Sequence, residues 1–134
     1  LLTKHLNEIY PGYKEWFYNK QIKGCLVLNR NIIFIRNNES KIIGISSLKK
    51  TKEEKKICTL FILESYRNKG IKKILLEESF KYLKTTKPLI TINEKNLDKF
   101  KNTIEEYNWE LIEVLKGIYK SNNREFCFNG KLSK

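Results

Sequence analysis

Hydrophobic and polar positions along this chain switch between a period of two and a period of about 3.6, and the switches mark its elements. Lys41-Ile42-Ile43-Gly44-Ile45-Ser46-Ser47-Leu48 is one β-branched run and Ile57 to Leu63 is another, with a charged hairpin from Lys49 to Lys56 between them. Two antiparallel strands are predicted there. From Ile71 to Leu83 the apolar residues Ile71, Ile74, Leu75, Tyr82 and Leu83 fall mostly on one face at helical spacing, which predicts a helix of ordinary length. Pro88-Leu89-Ile90-Thr91-Ile92 is a short apolar run opened by a proline, suited to a buried strand parallel to Ile57–Leu63. A parallel pair needs a crossover, and the helix from Ile71 provides it. Leu97, Phe100, Ile104 and Tyr107 form a second helical stripe, and Glu110 to Tyr119 and Glu125 to Gly130 read as closing strands around a Ser-Asn-Asn turn. At the other end, the stripe Leu2, Leu6 and Ile9 is stopped by Pro11-Gly12 ahead of an aromatic patch at Tyr13, Trp16 and Phe17.

The junction between the second strand and the first long helix carries the chemistry. Leu60-Phe61-Ile62-Leu63-Glu64-Ser65-Tyr66-Arg67-Asn68-Lys69-Gly70-Ile71-Lys72-Lys73 runs from a strand through a basic glycine loop into a helix. A helix start preceded by Gly offers unpaired backbone N–H groups and a positive dipole end, which suit a phosphate. The spacing Arg-x-x-Gly-x-Lys lacks the Gly-Lys-Ser/Thr of a mononucleotide P-loop and the three glycines of a dinucleotide fold. It resembles the pyrophosphate loop of the GNAT superfamily, the acyl-CoA-dependent N-acyltransferases, which place Arg or Gln-x-x-Gly-x-Gly or Ala at this junction. The match runs through Arg67, Asn68, Lys69, Gly70 and Ile71. Lys72 departs from it, standing where the family prefers a small residue, so its side chain must point away from the cofactor or reach around to a phosphate. The order strand, strand, loop, helix, strand, helix, hairpin is also the family's, and the resemblance covers roughly Arg30 to Gly130. It implies one α/β (α+β) domain over residues 1–134: a mixed, mainly antiparallel sheet with helices on both faces, in which the strands Ile57–Leu63 and Pro88–Ile92 run parallel and diverge at their C-terminal ends. Relatives begin with a strand ahead of the first helical region, so the native N-terminus is expected to be missing.

The resemblance implies acetyl transfer from acetyl-CoA to a primary amine, with no metal. Backbone groups of Leu60, Phe61 and Ile62 are then expected to hold the pantetheine arm. Backbone N–H groups from Asn68 through Lys69, Gly70, Ile71 and Lys72 to Lys73 are expected to hold the pyrophosphate, with Lys69, Lys72 and Lys73 supplying positive charge. Asn96 stands where the family often has an Asn touching the cofactor arm, and Asn is equally a preferred helix N-cap. The family's acidic base and thiolate-protonating Tyr have poor counterparts here: the matching positions are Ile57 or Thr91 for the first and Thr103 or Ile104 for the second. Glu94 is the candidate base, alternatively an exposed loop acid, and Tyr119 the candidate acid, alternatively a half-buried strand residue. Much of the rate can come from holding amine and thioester together, which asks for no particular side chain. The acceptor is open, from a small-molecule amine to a peptide.

Composition changes this picture little. A chain of 134 residues holds a single domain with a real core. No apolar run approaches the roughly 20 residues of a membrane span and no signal-peptide pattern opens the chain, so a cytoplasmic protein is expected. Cys25, Cys58 and Cys127 are too scattered for a disulfide framework or a metal site, His5 has no metal partner, and Cys58 and Cys127 read as small buried strand residues. The net charge of +12 invites a nucleic-acid reading. Against it, only four of the 27 basic residues are arginine, alanine is absent, and the lysines are dispersed apart from clusters at Lys49–Lys56 and Lys69–Lys73. That pattern fits an AT-rich coding sequence with solvated faces. A GNAT-like module that keeps the fold without turnover is the other alternative; a homodimer is compatible with all of these.

Overall fold

The computed structural model of the chain describes residues 29–117 and 123–132. Three antiparallel strands come first: β1 (Arg30–Arg36), β2 (Ile42–Lys50) and β3 (Lys55–Ile62), hydrogen-bonded in the order β1-β2-β3. β1 was not anticipated, although Ile32-Ile33-Phe34-Ile35 is the kind of β-branched and aromatic run that favours a pleated, half-buried surface. A 3-10 turn (Glu64–Tyr66) and a glycine loop lead into α1 (Ile71–Leu83), which crosses over to β4 (Ile90–Asn93). A 3-10 helix (Glu94–Phe100), a short α2 (Lys101–Glu106) and the strands β5 (Leu111–Lys116) and β6 (Arg124–Phe128) complete a second antiparallel sheet, ordered β4-β6-β5.

The two sheets meet at one point. Lys56 and Leu89 form a parallel bridge, in which the Ile57 N–H donates to the Leu89 carbonyl at 3.0 Å and the Leu89 N–H to the Lys55 carbonyl at 2.8 Å. Beyond it, β3 continues to Ile62 and β4 to Asn93, with no further ladder between them among the described residues. The expected parallel, diverging pair is therefore present. A β-bulge contributes to the divergence: Ser47 pairs with Thr59 and Leu48 with Ile57, which leaves Cys58 as an extra residue on β3. An extra residue bends its strand and increases the local twist.

Packing fixes which face is which. Gly44 on β2 lies against α1, where an added Cβ would sit 3.1 Å from Leu75 Cδ1, and the buried hydroxyls of Ser46 and Ser79 share a hydrogen bond of 2.8 Å. The core then joins α1 (Leu76, Phe80, Leu83) to Leu48, Ile57, Ile90, Ile92, Trp109 and Phe128, so one apolar cluster spans both sheets. Phe80 meets Tyr107 and Trp109 edge-on, with ring centroids 5.0 and 6.5 Å away.

Several boundaries differ from expectation for local reasons. Half of the charged hairpin is strand: its turn is only Thr51 to Glu54, because Lys49 and Lys50 are half-buried in the ladder and Lys49 pairs with Glu54 at 2.8 Å. The second helical stripe begins as 3-10 and becomes α-helix only at Lys101. Its N-cap is Asn93, whose side chain accepts from the Lys95 N–H at 2.9 Å, so the capping role considered for Asn96 belongs three positions earlier. The closing strands are shorter than the patterns Glu110–Tyr119 and Glu125–Gly130. Cys127 is fully buried and Cys58 half-buried, in strands as expected. The helix expected before Pro11, together with His5, Cys25 and Tyr119, lies outside the described residues. No helix among the described residues is long and apolar enough to cross a membrane.

Candidate functional site

The gap between β3 and β4 is lined on one side by backbone. Leu63 donates its N–H to the Ile43 carbonyl of β2 at 2.9 Å. Antiparallel alternation then turns the peptide groups of Phe61 toward β2 and those of Leu60 and Ile62 toward the gap. Arg67 returns along this edge: its Nε donates to the Ile62 carbonyl at 2.9 Å and its guanidinium lies 5.7 Å from the centre of the Phe61 ring. Of the three residues expected to hold an extended arm, Leu60 and Ile62 present backbone to the gap, while Phe61 supplies a ring that holds Arg67.

At the mouth of the gap stands the glycine loop. Asn68 and Gly70 both adopt left-handed backbone, with φ of 63° and 78°, and Gly70 is the N-cap of α1. Alternating conformations of this kind turn successive N–H groups inward to form an anion-binding concavity. A Cβ built on Gly70 meets nothing within 4 Å, so the space in front of the loop is open. Tyr66 anchors the loop by accepting a hydrogen bond from Asn37 Nδ2 at 2.9 Å, and Lys69 Nζ lies 5.5 Å from the Tyr66 ring centre. Lys72 does point away from the loop: its ammonium donates to the Lys99 carbonyl and sits 4.5 Å from the Phe100 ring centre. Burial, and then the charge of Lys99, pull its pKa below the usual lysine value. Lys73 is exposed and Ile71 half-buried.

The opposite wall, where β4 ends, is made of side chains from distant parts of the sequence. Asn93 and Glu125 are register partners on β4 and β6, and Asn93 Nδ2 donates to Glu125 Oε2 at 2.7 Å. Glu125 is 1% exposed; burial pushes its carboxyl above the usual glutamate value, opposed by the Asn93 hydrogen bond and reinforced by the charge of Glu94. Glu94 is held by Arg124, whose backbone N–H donates to Oε1 at 3.0 Å and whose Nε donates to Oε2 at 3.1 Å. The backbone and side-chain bonds from Arg124 keep the Glu94 carboxyl below its usual value. Asn96 is half-buried beside this end and accepts a long, 3.4 Å bond from Lys99 Nζ. Sequence reasoning singled out Glu94 and missed Asn93, Arg124 and Glu125. The available signal was one polar residue, Asn93 or Glu125, in each of two otherwise largely apolar strands, but it becomes a pair only once the register is known.

The sequence model of the acetyltransferase (GNAT) family matches residues 2–98. No curated protein matches the chain significantly. Among solved structures, Arabidopsis thaliana NAA60 in complex with a bisubstrate analogue superposes with a TM-score of 0.69 at 19% identity, covering 97% of this chain and 92% of that one. A streptothricin acetyltransferase of Bacillus anthracis in complex with acetyl coenzyme A gives a TM-score of 0.62 at 19% identity over 75% of this chain, which spans 62% of that protein. A spermidine N-acetyltransferase chimera of Vibrio cholerae SpeG and hSSAT gives 0.61 at 16% identity, covering 89% and 76%. These likenesses establish a shared fold, and the match of the family model over more than half of the sequence establishes descent: the chain belongs to the GNAT acetyltransferase family.

Proposed function

We propose that this chain transfers the acetyl group of acetyl-CoA to the nitrogen of a primary amine. The observation that carries the reading is the open gap between β3 and β4, with backbone of Leu60 and Ile62 along one edge and the left-handed loop Asn68–Gly70 heading α1 at its mouth. The extended pantetheine amides suit strand-like backbone bonding. The pyrophosphate suits the N–H groups of Asn68 to Lys73, with Lys69 and Arg67 adding charge and the open space before Gly70 leaving room. Asn96, half-buried beside the end of β4, is proposed to touch the arm from that side.

In the reaction, a neutral amine attacks the thioester carbonyl, the C–N bond forms, the C–S bond breaks, and the thiolate leaves with a proton. Positioning supplies much of the rate, and general acid-base groups add roughly a hundred- to ten-thousand-fold. Glu94 is a proposed base and Tyr119 a proposed acid, although the hold of Arg124 on Glu94 makes it a weak base. The acceptor is proposed as a small-molecule or peptide amine, the range represented by spermidine and bisubstrate-analogue enzymes of this fold. Thiol release from acetyl-CoA across a panel of polyamines, aminoglycosides, amino acids and peptides tests the proposal, with turnover on at least one amine expected. The engagement of Glu94 by Arg124 favours a second reading, a CoA-binding module without turnover; tight CoA binding with no thiol release on any amine would select it. Salt-sensitive nanomolar binding to RNA or DNA without CoA binding would overturn both.

A further inference from the structure

Among the described residues Glu125 is the only buried charged side chain, and the other acids there are at least partly exposed. We infer that Glu125 is the group that takes the proton of the acceptor amine, held for that task against Asn93 on the face of the second sheet turned away from α1; this rests on the acetyltransferase reading above.

Strand alternation places it there. Ile90 and Ile92 of β4 and Phe128 of β6 share the core with Leu76, Phe80 and Leu83 of α1, so Thr91, Asn93, Glu125 and Cys127 occupy the reverse face. The pyrophosphate loop heads α1 and belongs to the α1 side. A thioester entering between β3 and β4 from that side emerges, toward the reverse face, beside the C-terminal end of β4. That end is Asn93, directly opposite Glu125 in register.

The chemistry of the surroundings points the same way. Two carboxyls stand at this end, and Arg124 divides them: it neutralises Glu94 and leaves Glu125 with a neutral amide as partner. Environments that drive neighbouring acids in opposite directions separate a group that gives up its proton more readily from one that holds a proton more readily. A structural role alone is a poor account of Glu125, because a buried acid destabilises a sheet relative to an apolar residue of similar volume. In the proposed step the acceptor ammonium gives one proton to the Glu125 carboxylate through a bridging water. The freed nitrogen lone pair forms the C–N bond as the C–S bond breaks, the second N–H proton goes to the departing thiolate, and Glu125 returns its proton to solvent.

Among the described residues, the charged groups near Glu125 are Glu94, at the end of β4, and Arg124, next to it in β6 and paired to Glu94; Cys127 shares its face and is reached by the charges of Glu113 and Lys56, and the β5 register partner of Glu125, Leu115, is apolar. The test uses the whole chain with the best amine from the thiol-release panel. Glu125→Gln keeps an oxygen for the Asn93 N–H, so the CoA-induced rise in melting temperature should be unchanged, while kcat/KM falls about a hundredfold and loses its acidic limb. In the unmutated protein, a carbon-13 NMR titration of the Glu125 carboxyl should give the same apparent pKa as that limb, a coincidence that a structural acid has no reason to produce. Retention of kcat/KM within about threefold, or a Glu125 titration well separated from the limb, would overturn the assignment even if Glu125→Gln folds poorly. An unmutated chain that neither binds CoA nor releases thiol would instead remove the acetyltransferase reading, and the inference with it.

Discussion

The two walls of the gap between β3 and β4 are built from different materials. The mouth is made of main chain and cations: the left-handed residues Asn68 and Gly70, the first turn of α1, and Arg67, Lys69 and Lys73 within seven residues of sequence. The opposite wall is made of side chains and acids: Asn93 and Glu94 from β4 and its exit, Arg124 and Glu125 from the start of β6, some thirty positions later. A phosphate is the same in every acyl-CoA, so a rigid backbone cradle serves it and tolerates varied side chains. An acceptor differs from enzyme to enzyme, and its proton must be handled by groups whose affinity for protons is tuned by burial and neighbours. On the proposed reading, recognition of the constant ligand is local, and handling of the acceptor depends on tertiary structure.

The broadest way to break this contrast is to loosen the core that holds the two walls at a fixed separation. Phe80→Ala removes a ring in contact with Tyr107 and Trp109 and should cost about 3–5 kcal/mol of stability, measured by denaturant unfolding; a change below about 1 kcal/mol would mean that the sheets hold together without it. Next comes the mouth alone. Gly70→Val places a β-branched side chain at a φ of 78° and in the space before the loop, so it should cost about 1–3 kcal/mol in strain and abolish the CoA-induced thermal shift. A variant that binds CoA like the parent would show that the phosphates lie elsewhere.

Smaller effects sharpen the comparison. The Glu94 carboxyl has a depressed pKa in the folded chain, so its pairing with Arg124 contributes stability that is complete above the usual glutamate value and is lost as the pH falls through the lower folded value. Glu94→Gln should therefore lower the melting temperature near neutrality and converge with the parent in acid, with a modest loss of kcat. A temperature difference that persists in acid would dissociate Glu94 from that ion pair. The smallest change expected is Lys72→Met. Lys72 reaches toward Lys99 and Phe100 and not the loop, so CoA affinity measured by calorimetry should stay within about threefold, a difference of less than roughly 1 kcal/mol. A tenfold loss would show that the ammonium swings onto a phosphate when CoA binds.

The mouth was legible in sequence because its physics is local: glycine, a basic turn and a helix start occur within one short segment, and the strand periods around it identify the scaffold. The parallel, diverging pair followed from strand order and the crossover helix. What remained hidden was nonlocal. Asn93 and Glu125 are separate polar interruptions until β4 and β6 are placed in register, and Arg124 gives no sign in sequence that it will neutralise Glu94. β1 escaped for another reason: Ile32, Ile33, Phe34 and Ile35 are all apolar, so no alternation reveals it. Asn96 attracted the cap because helix and 3-10 starts look alike in sequence, and the 3-10 segment moved the cap to Asn93.

The parallel bridge between the sheets has a kinetic signature. The amides of Ile57 and Leu89 sit at its base, hydrogen-bonded across the junction and beneath the common core, so they should exchange with solvent deuterium only when the whole domain opens. A few residues further along β3, the amides of Leu60 and Ile62 face the gap and should exchange far faster in the free protein. Acyl-CoA lying along that edge would slow them while leaving Ile57 and Leu89 nearly untouched, so protection would spread from the closed base of the gap toward its mouth.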